Sequence, residues 1–219
     1  RMHTGEPTRA IVMMRDLALF KTGRLSNEAF TFRNGGKKPE SAINLSMLHI
    51  IGPTIYYHYG KMNYCNRWLI EHAVDYGWSH NSYKYLIKCA TINGEKELAE
   101  KYANILKDTR NYNESEEVKI GLGLSQESND MKEAKSLMTY NDFMGSDQNL
   151  LELFLLSDFA NDTTDVLSIK TLALHAIMTQ KDMRQFWPHF YHYIKLLEDK
   201  TNLPLHIQEA AYLLGRSKN

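Results

Sequence analysis

The sequence predicts an all-α fold built from antiparallel helix pairs laid side by side. Three observations carry that reading. Gly60, Cys65 and Trp68 recur in kind 34 residues later as Gly94, Ala99 and Tyr102, the order of a turn, a small residue and an aromatic that packs a helix-turn-helix repeat. Five Pro and 12 Gly stand against 10 Met and many Leu and Ala, a balance that favours helix. Alternating apolar runs are rare, so strands are poorly supported.

The elements follow in order. Pro7 and Thr8 open an amphipathic helix to about Thr22, with Ile11, Met14, Leu17 and Ala18 on one face. Gly23 stops it, and a short second helix spans Leu25 to Phe30. The run Phe32 to Pro39 is a loop by its glycines and proline. Ser41 caps a helix carrying Leu45, Leu48, Ile51, Ile55 and Tyr59, in which Gly52-Pro53 predicts a kink or a break. Met62 to Tyr76 is the second helix of the first pair. Asn81 or Ser82 caps a helix to Ile92, and after Gly94 the stretch Glu95 to Lys107 buries Leu98, Ala99, Tyr102, Ile105 and Leu106.

A third copy is weaker. Met131, Ala134 and Leu137 sit 35 residues beyond Lys96, Ala99 and Tyr102, and the partner helix falls within Glu116 to Leu124, blurred by Gly121 and Gly123. The last third stays helical without the period: Asn149 to Phe159, then Thr164 to Thr179 capped by Thr163 or Thr164, then Met183 to Leu197, then a helix from Pro204 to Leu214-Gly215. The chain thus reads as one helical-repeat domain over residues 1–219. Its clearest repeats are at 42–77 and 80–108, with a weaker one at 116–140 and an irregular helical part at 146–216. Repeats near this period stack as a tetratricopeptide-like α-α superhelix, because a lone pair has an apolar stripe on both sides and hides each against a neighbour.

Several stretches, quoted in chain order, resemble one family. They are Asp16-Leu17-Ala18-Leu19 with Gly23-Arg24-Leu25, Asn66-Arg67-Trp68, Tyr85 to Ala90, Asn93-Gly94-Glu95, Leu98 to Tyr102, Phe186-Trp187-Pro188, and Leu203 to Tyr212. Together they are similar to an uncharacterised family of bacterial membrane proteins that carries a domain of unknown function. That resemblance implies a polytopic membrane region upstream of a soluble helical-repeat part to which this chain corresponds, on a side of the membrane it does not specify. Arg110 to Gly123 departs from the family pattern. The resemblance brings no chemistry with it.

The bulk properties exclude some classes. Lys plus Arg equals Asp plus Glu, 26 each, against the basic excess of a nucleic-acid domain. A content of 43% hydrophobic and 24% charged residues is that of a folded chain. No run reaches the roughly 18 apolar residues of a membrane span. Cys65 and Cys89 fall among apolar neighbours and read as buried thiols, with a disulfide between them as the alternative.

Chemistry-bearing motifs are absent. Asn34-Gly35-Gly36-Lys37-Lys38 lacks the spacing of a phosphate loop. His189 and His192 share a helix face, but two ligands are too few for a metal. Glu114, Glu116 and Glu117 sit in a polar loop. The sequence therefore predicts no catalytic residue, metal ligand or cofactor. It predicts an interaction module for a protein or peptide, with Tyr56, Tyr57, Asn63, Arg67 and Trp187 as candidate binding residues. The alternative is a structural or regulatory appendage of a membrane enzyme or transporter whose active part lies upstream.

Overall fold

Thr8 opens the first helix, its Oγ1 accepting the Ile11 N–H. This is the hydroxyl cap that satisfies one of a helix's orphan donors. The computed structural model describes residues 6–35, 45–110, 112–139, 142 and 151–216. Among them are twelve α-helices and no strand: α1 Arg9–Lys21, α2 Leu25–Glu28, α3 Leu45–His58, α4 Met62–Tyr76, α5 His80–Ile92, α6 Lys96–Lys107, α7 Glu116–Gly121, α8 Asn129–Ser136, α9 Leu151–Asn161, α10 Leu167–Gln180, α11 Phe186–Leu196 and α12 Leu205–Arg216. A 3-10 turn, Ala29–Thr31, follows α2. No described helix is long and apolar enough to cross a membrane.

One turn recurs through the chain. After α1, α3, α5 and α7 the next residue but one takes a left-handed conformation, at Gly23, Gly60, Gly94 and Gly123, and after α10 the next residue, Lys181, does so. The residue after it then donates its N–H back five positions: Arg24 to Leu19 O, Lys61 to Tyr56 O, Glu95 to Ala90 O and Leu124 to Lys119 O, each at 2.8 Å, and Asp182 to Ile177 O at 3.1 Å. This closure satisfies carbonyls that a helix end leaves open. It turns the chain sharply enough at Gly60 and Gly94 that the following helix starts two residues later.

The helices gather into two units, residues 1–43 with 148–219 and residues 44–147. In the first unit α10 packs against α9, α11 and α2, and α12 packs against α2. Phe186, Leu174, Ile177 and Ile207 are fully buried at its centre. α10 is buried along most of its length, so its buried Lys170 and His175 side chains need partners. The Lys170 ammonium donates to Asp162 O at 2.7 Å, and His175 Nε2 lies 3.4 Å from Asp16 Oδ2.

In the second unit α3 pairs with α4 and α5 with α6, while α4 packs on α5 and α7 lies against both α5 and α6. The 34-residue copy is structural. His49 meets Trp68 edge-to-face at 5.5 Å between α3 and α4, and Tyr83 meets Tyr102 at 6.3 Å between α5 and α6. His49 and Tyr83 are themselves 34 residues apart. Cys65 and Ala99 are both buried at the close approach, and neither Cys65 nor Cys89 forms a disulfide.

Several boundaries differ from the sequence reading. α3 continues through Gly52-Pro53 without a break. Pro53 deprives the helix of one amide donor, but Gly52 brings the backbone close to Leu48 and Trp68 in the core, and that burial holds the helix together. Ser79, not Asn81 or Ser82, caps α5, accepting the Ser82 N–H at 3.0 Å. α10 starts at Leu167 rather than near Thr164, because the Asp162 carboxylate takes the Thr164 N–H at 2.8 Å into a turn. The predicted cap at Ser41 lies outside the described residues.

The third pair departs furthest. α7 stacks as a first helix should, with Gly121 pressed against Ala103, Ile87 and the Ala99 carbonyl. α8, however, packs on α3 and α5. Where Gly60 and Gly94 are followed almost at once by the second helix, Gly123 is followed by a connection to Asn129. That added chain lets α8 reach α3 and α5.

Candidate functional site

The face on which α8 sits is built from first helices. From α3 come Thr54 and Tyr57, from α5 Lys84, Tyr85 and Lys88, and from α7 Glu117. Lys88 follows Lys84 by four residues, so both ammonium groups rise from one side of α5, and Glu117 lies 3.7 Å from Lys84 and 3.8 Å from Lys88. The Tyr57 and Tyr85 rings meet edge-to-face at 5.1 Å. Lys88 Nζ stands 5.9 Å over the Tyr57 ring.

Asp130, in the first turn of α8, ties that helix to this face. Its Oδ2 accepts from Tyr57 Oη and from Lys88 Nζ, each at 3.0 Å, and its Oδ1 accepts from Ser128 Oγ at 2.5 Å. Partial burial alone pushes the carboxyl upward. The donors from Ser128, Lys88 and Tyr57 outweigh it and hold the group down at about 2. The Tyr57 phenol moves the other way, raised by burial and by the Asp130 charge it faces. Met131, Ala134 and Leu137 present the apolar side of this segment and are buried.

A second clamp holds the chain beyond α8. Leu137 and Met138 run against Gly60 in the α3–α4 turn. Lys61, completely buried, donates to Thr139 Oγ1. Asp142 Oδ2 accepts the Asn63 N–H at 2.8 Å at the start of α4, the Asn63 side-chain amide donates to Asp142 O at 2.9 Å, and Asn93 donates to Asn63 Oδ1 at 3.2 Å. The start of a helix favours a carboxylate there, as does the Lys61 charge. Burial is the larger influence and raises the Asp142 carboxyl to about 6.

The sign of the pH effect follows. With the folded value above the ordinary one of 3.8, the native state holds the proton longer than the unfolded chain, so this group's contribution to stability declines as pH rises from about 4 through 6. Substituting Asp142→Asn removes the titration. The stability of the variant relative to the native chain, measured by urea unfolding, should therefore shift in the variant's favour between pH 4.5 and 7. A difference that stays constant across that range would show the carboxyl to be solvated.

The sequence-chosen residues are placed as follows. Tyr57 and Asn63 belong to the two clamps. Tyr56 is in the core, stacked on Tyr64 at 5.1 Å. Arg67 bonds Glu71 at 2.8 Å and stands 5.8 Å over the Trp68 ring. Trp187 lies in the other unit, half-buried among Phe186, Phe190 and Tyr191. Lys84, Lys88, Asp130 and Asp142 were not singled out from sequence, and Glu117, read there as part of a polar loop, lies in the first turn of α7. Lys84 and Lys88 carried a usable signal, an i,i+4 repeat of one charge on a first helix.

Between Gly94 and the connection to α8 lies a cleft of about 670 Å³, lined by Lys96, Gly121, Gly123, Gln126 and Lys132 among others. The model of a family of unknown function, DUF6057, matches residues 1–219. No curated protein and no solved structure matches the chain.

Proposed function

The chain belongs to a family of unknown function, DUF6057, and we propose that it works as a protein- or peptide-interaction module. On this reading residues 44–147 form a tetratricopeptide-like stretch of α-α superhelix whose first helices α3, α5 and α7 present the binding face. The membrane-anchored setting implied by the sequence resemblance belongs to the same proposal. One observation carries it: the first-helix face already receives a helical segment, α8, through both an apolar stripe and paired charges at Asp130. A face that accommodates a helix of its own chain has the shape and the polar groups to accommodate one from outside.

The test is a photo-crosslinking amino acid placed at position 84 on this face and, as a control, at exposed position 101 on α6. A discrete protein adduct from position 84 and not from 101, reproduced with the purified partner, is the expected result. Equal adducts from both positions, or none from 84, would overturn the reading.

A further inference from the structure

We infer that α8 is a resident ligand of the α3/α5 groove, and that the external partner is an amphipathic helix of the same chemistry which displaces it. This deepens the interaction reading and rests on it. The chemistry is set by what α8 contributes. A carboxylate in the first turn meets Tyr57 Oη and Lys88 Nζ, and Met131, Ala134 and Leu137, three residues apart, are buried. A partner helix would carry an acidic residue, then a flexible apolar residue, a small residue and a leucine-like residue at that spacing.

Four features make α8 displaceable where α3 and α5 are not. It has only 8 residues, too few to persist as a helix without the groove. α5 is packed by α4, α6 and α7 as well as by α8, whereas α8 packs chiefly on α3 and α5. Lys132, Glu133, Lys135 and Ser136 face solvent. The connection before it borders the 670 Å³ cleft at Gly123 and Ser125, so its N-terminal tether has room to move. A tethered segment acts at an effective concentration near millimolar, so an outside helix binds more weakly by the fraction of time α8 vacates the groove.

The probe is a labelled synthetic peptide of residues 128–139, titrated by fluorescence anisotropy into the whole chain and into an Ala134→Glu variant, whose own α8 no longer fits. The expected result is at least tenfold tighter binding to the variant, lost again when Lys88→Ala is added or when the peptide itself carries A134E. Equal affinity, or no binding to a variant whose helix content matches the native chain, would overturn the inference. Should A134E fail to fold, amide exchange on the native chain decides. Amides of α8 exchanging through local opening, well ahead of those in α5, support it, and exchange of both only on global unfolding overturns it. Failure of the peptide alongside a position-84 adduct would remove the displacement idea and leave the interaction reading standing.

Discussion

Gly60→Ala is expected to destabilise the protein by roughly 2–5 kcal/mol, well beyond the same change at Gly94. The two glycines do the same local task, with φ of +76° and +78° and matching hydrogen bonds. A side chain in that left-handed region costs about 1–2 kcal/mol by itself, and Gly94→Ala should cost no more, because a Cβ there meets nothing within 4 Å. At Gly60 the added Cβ would lie 2.6–2.8 Å from the Leu137 carbonyl group and the Met138 nitrogen. Those are backbone atoms, which cannot rotate aside, so either the turn distorts or the segment after α8 lifts away. Lifting it also breaks the Lys61–Thr139 and Asn63–Asp142 contacts. Urea unfolding of both variants measures the difference. Equal losses would mean that residues 137 and 138 do not rest on the turn in solution.

That pair of glycines shows what the sequence could and could not disclose. The 34-residue spacing revealed the turns and the paired helices, because each depends on residues within one repeat and its neighbour, while the partners of Trp68 and Tyr102, His49 and Tyr83, came from the structure alone. It also led naturally to a third pair of the same kind, since Met131, Ala134 and Leu137 keep the stripe that a second helix needs. The same stripe suits any apolar partner surface, and period alone does not say which one. The destination of α8 was decided by connection length after Gly123 and by Asp130 meeting Tyr57 and Lys88, residues 73 and 42 positions away. Tyr57 was legible as a candidate binding residue, but its bond to Asp130 runs through its hydroxyl, the ring being buried. Asn63 was legible only as a candidate binding residue on α4. The actual partner, Asp142, is 79 residues on and follows no helix period.

Trp68→Ala should cost about 3–5 kcal/mol, the range for truncating a large buried aromatic, while Tyr102→Ala at the equivalent place should cost only about 1–2 kcal/mol. The indole is buried and closed in by His49 and the backbone at Gly52, with the Arg67 guanidinium 5.8 Å from its ring. Removing it leaves a cavity inside the α3–α4 pair that Pro53, with its fixed backbone angle, restrains α3 from collapsing into. The phenol of Tyr102 is half-buried and faces Tyr83 at a wider separation, so its removal exposes a ring more than it opens a void. Equivalent positions in a repeat thus share a contact without sharing its energy, and the first pair carries the larger stake. Thermal or urea unfolding of the two single variants reads this directly. A Trp68→Ala loss below about 1 kcal/mol would place the indole in solvent and remove the burial on which the paired-helix stack depends.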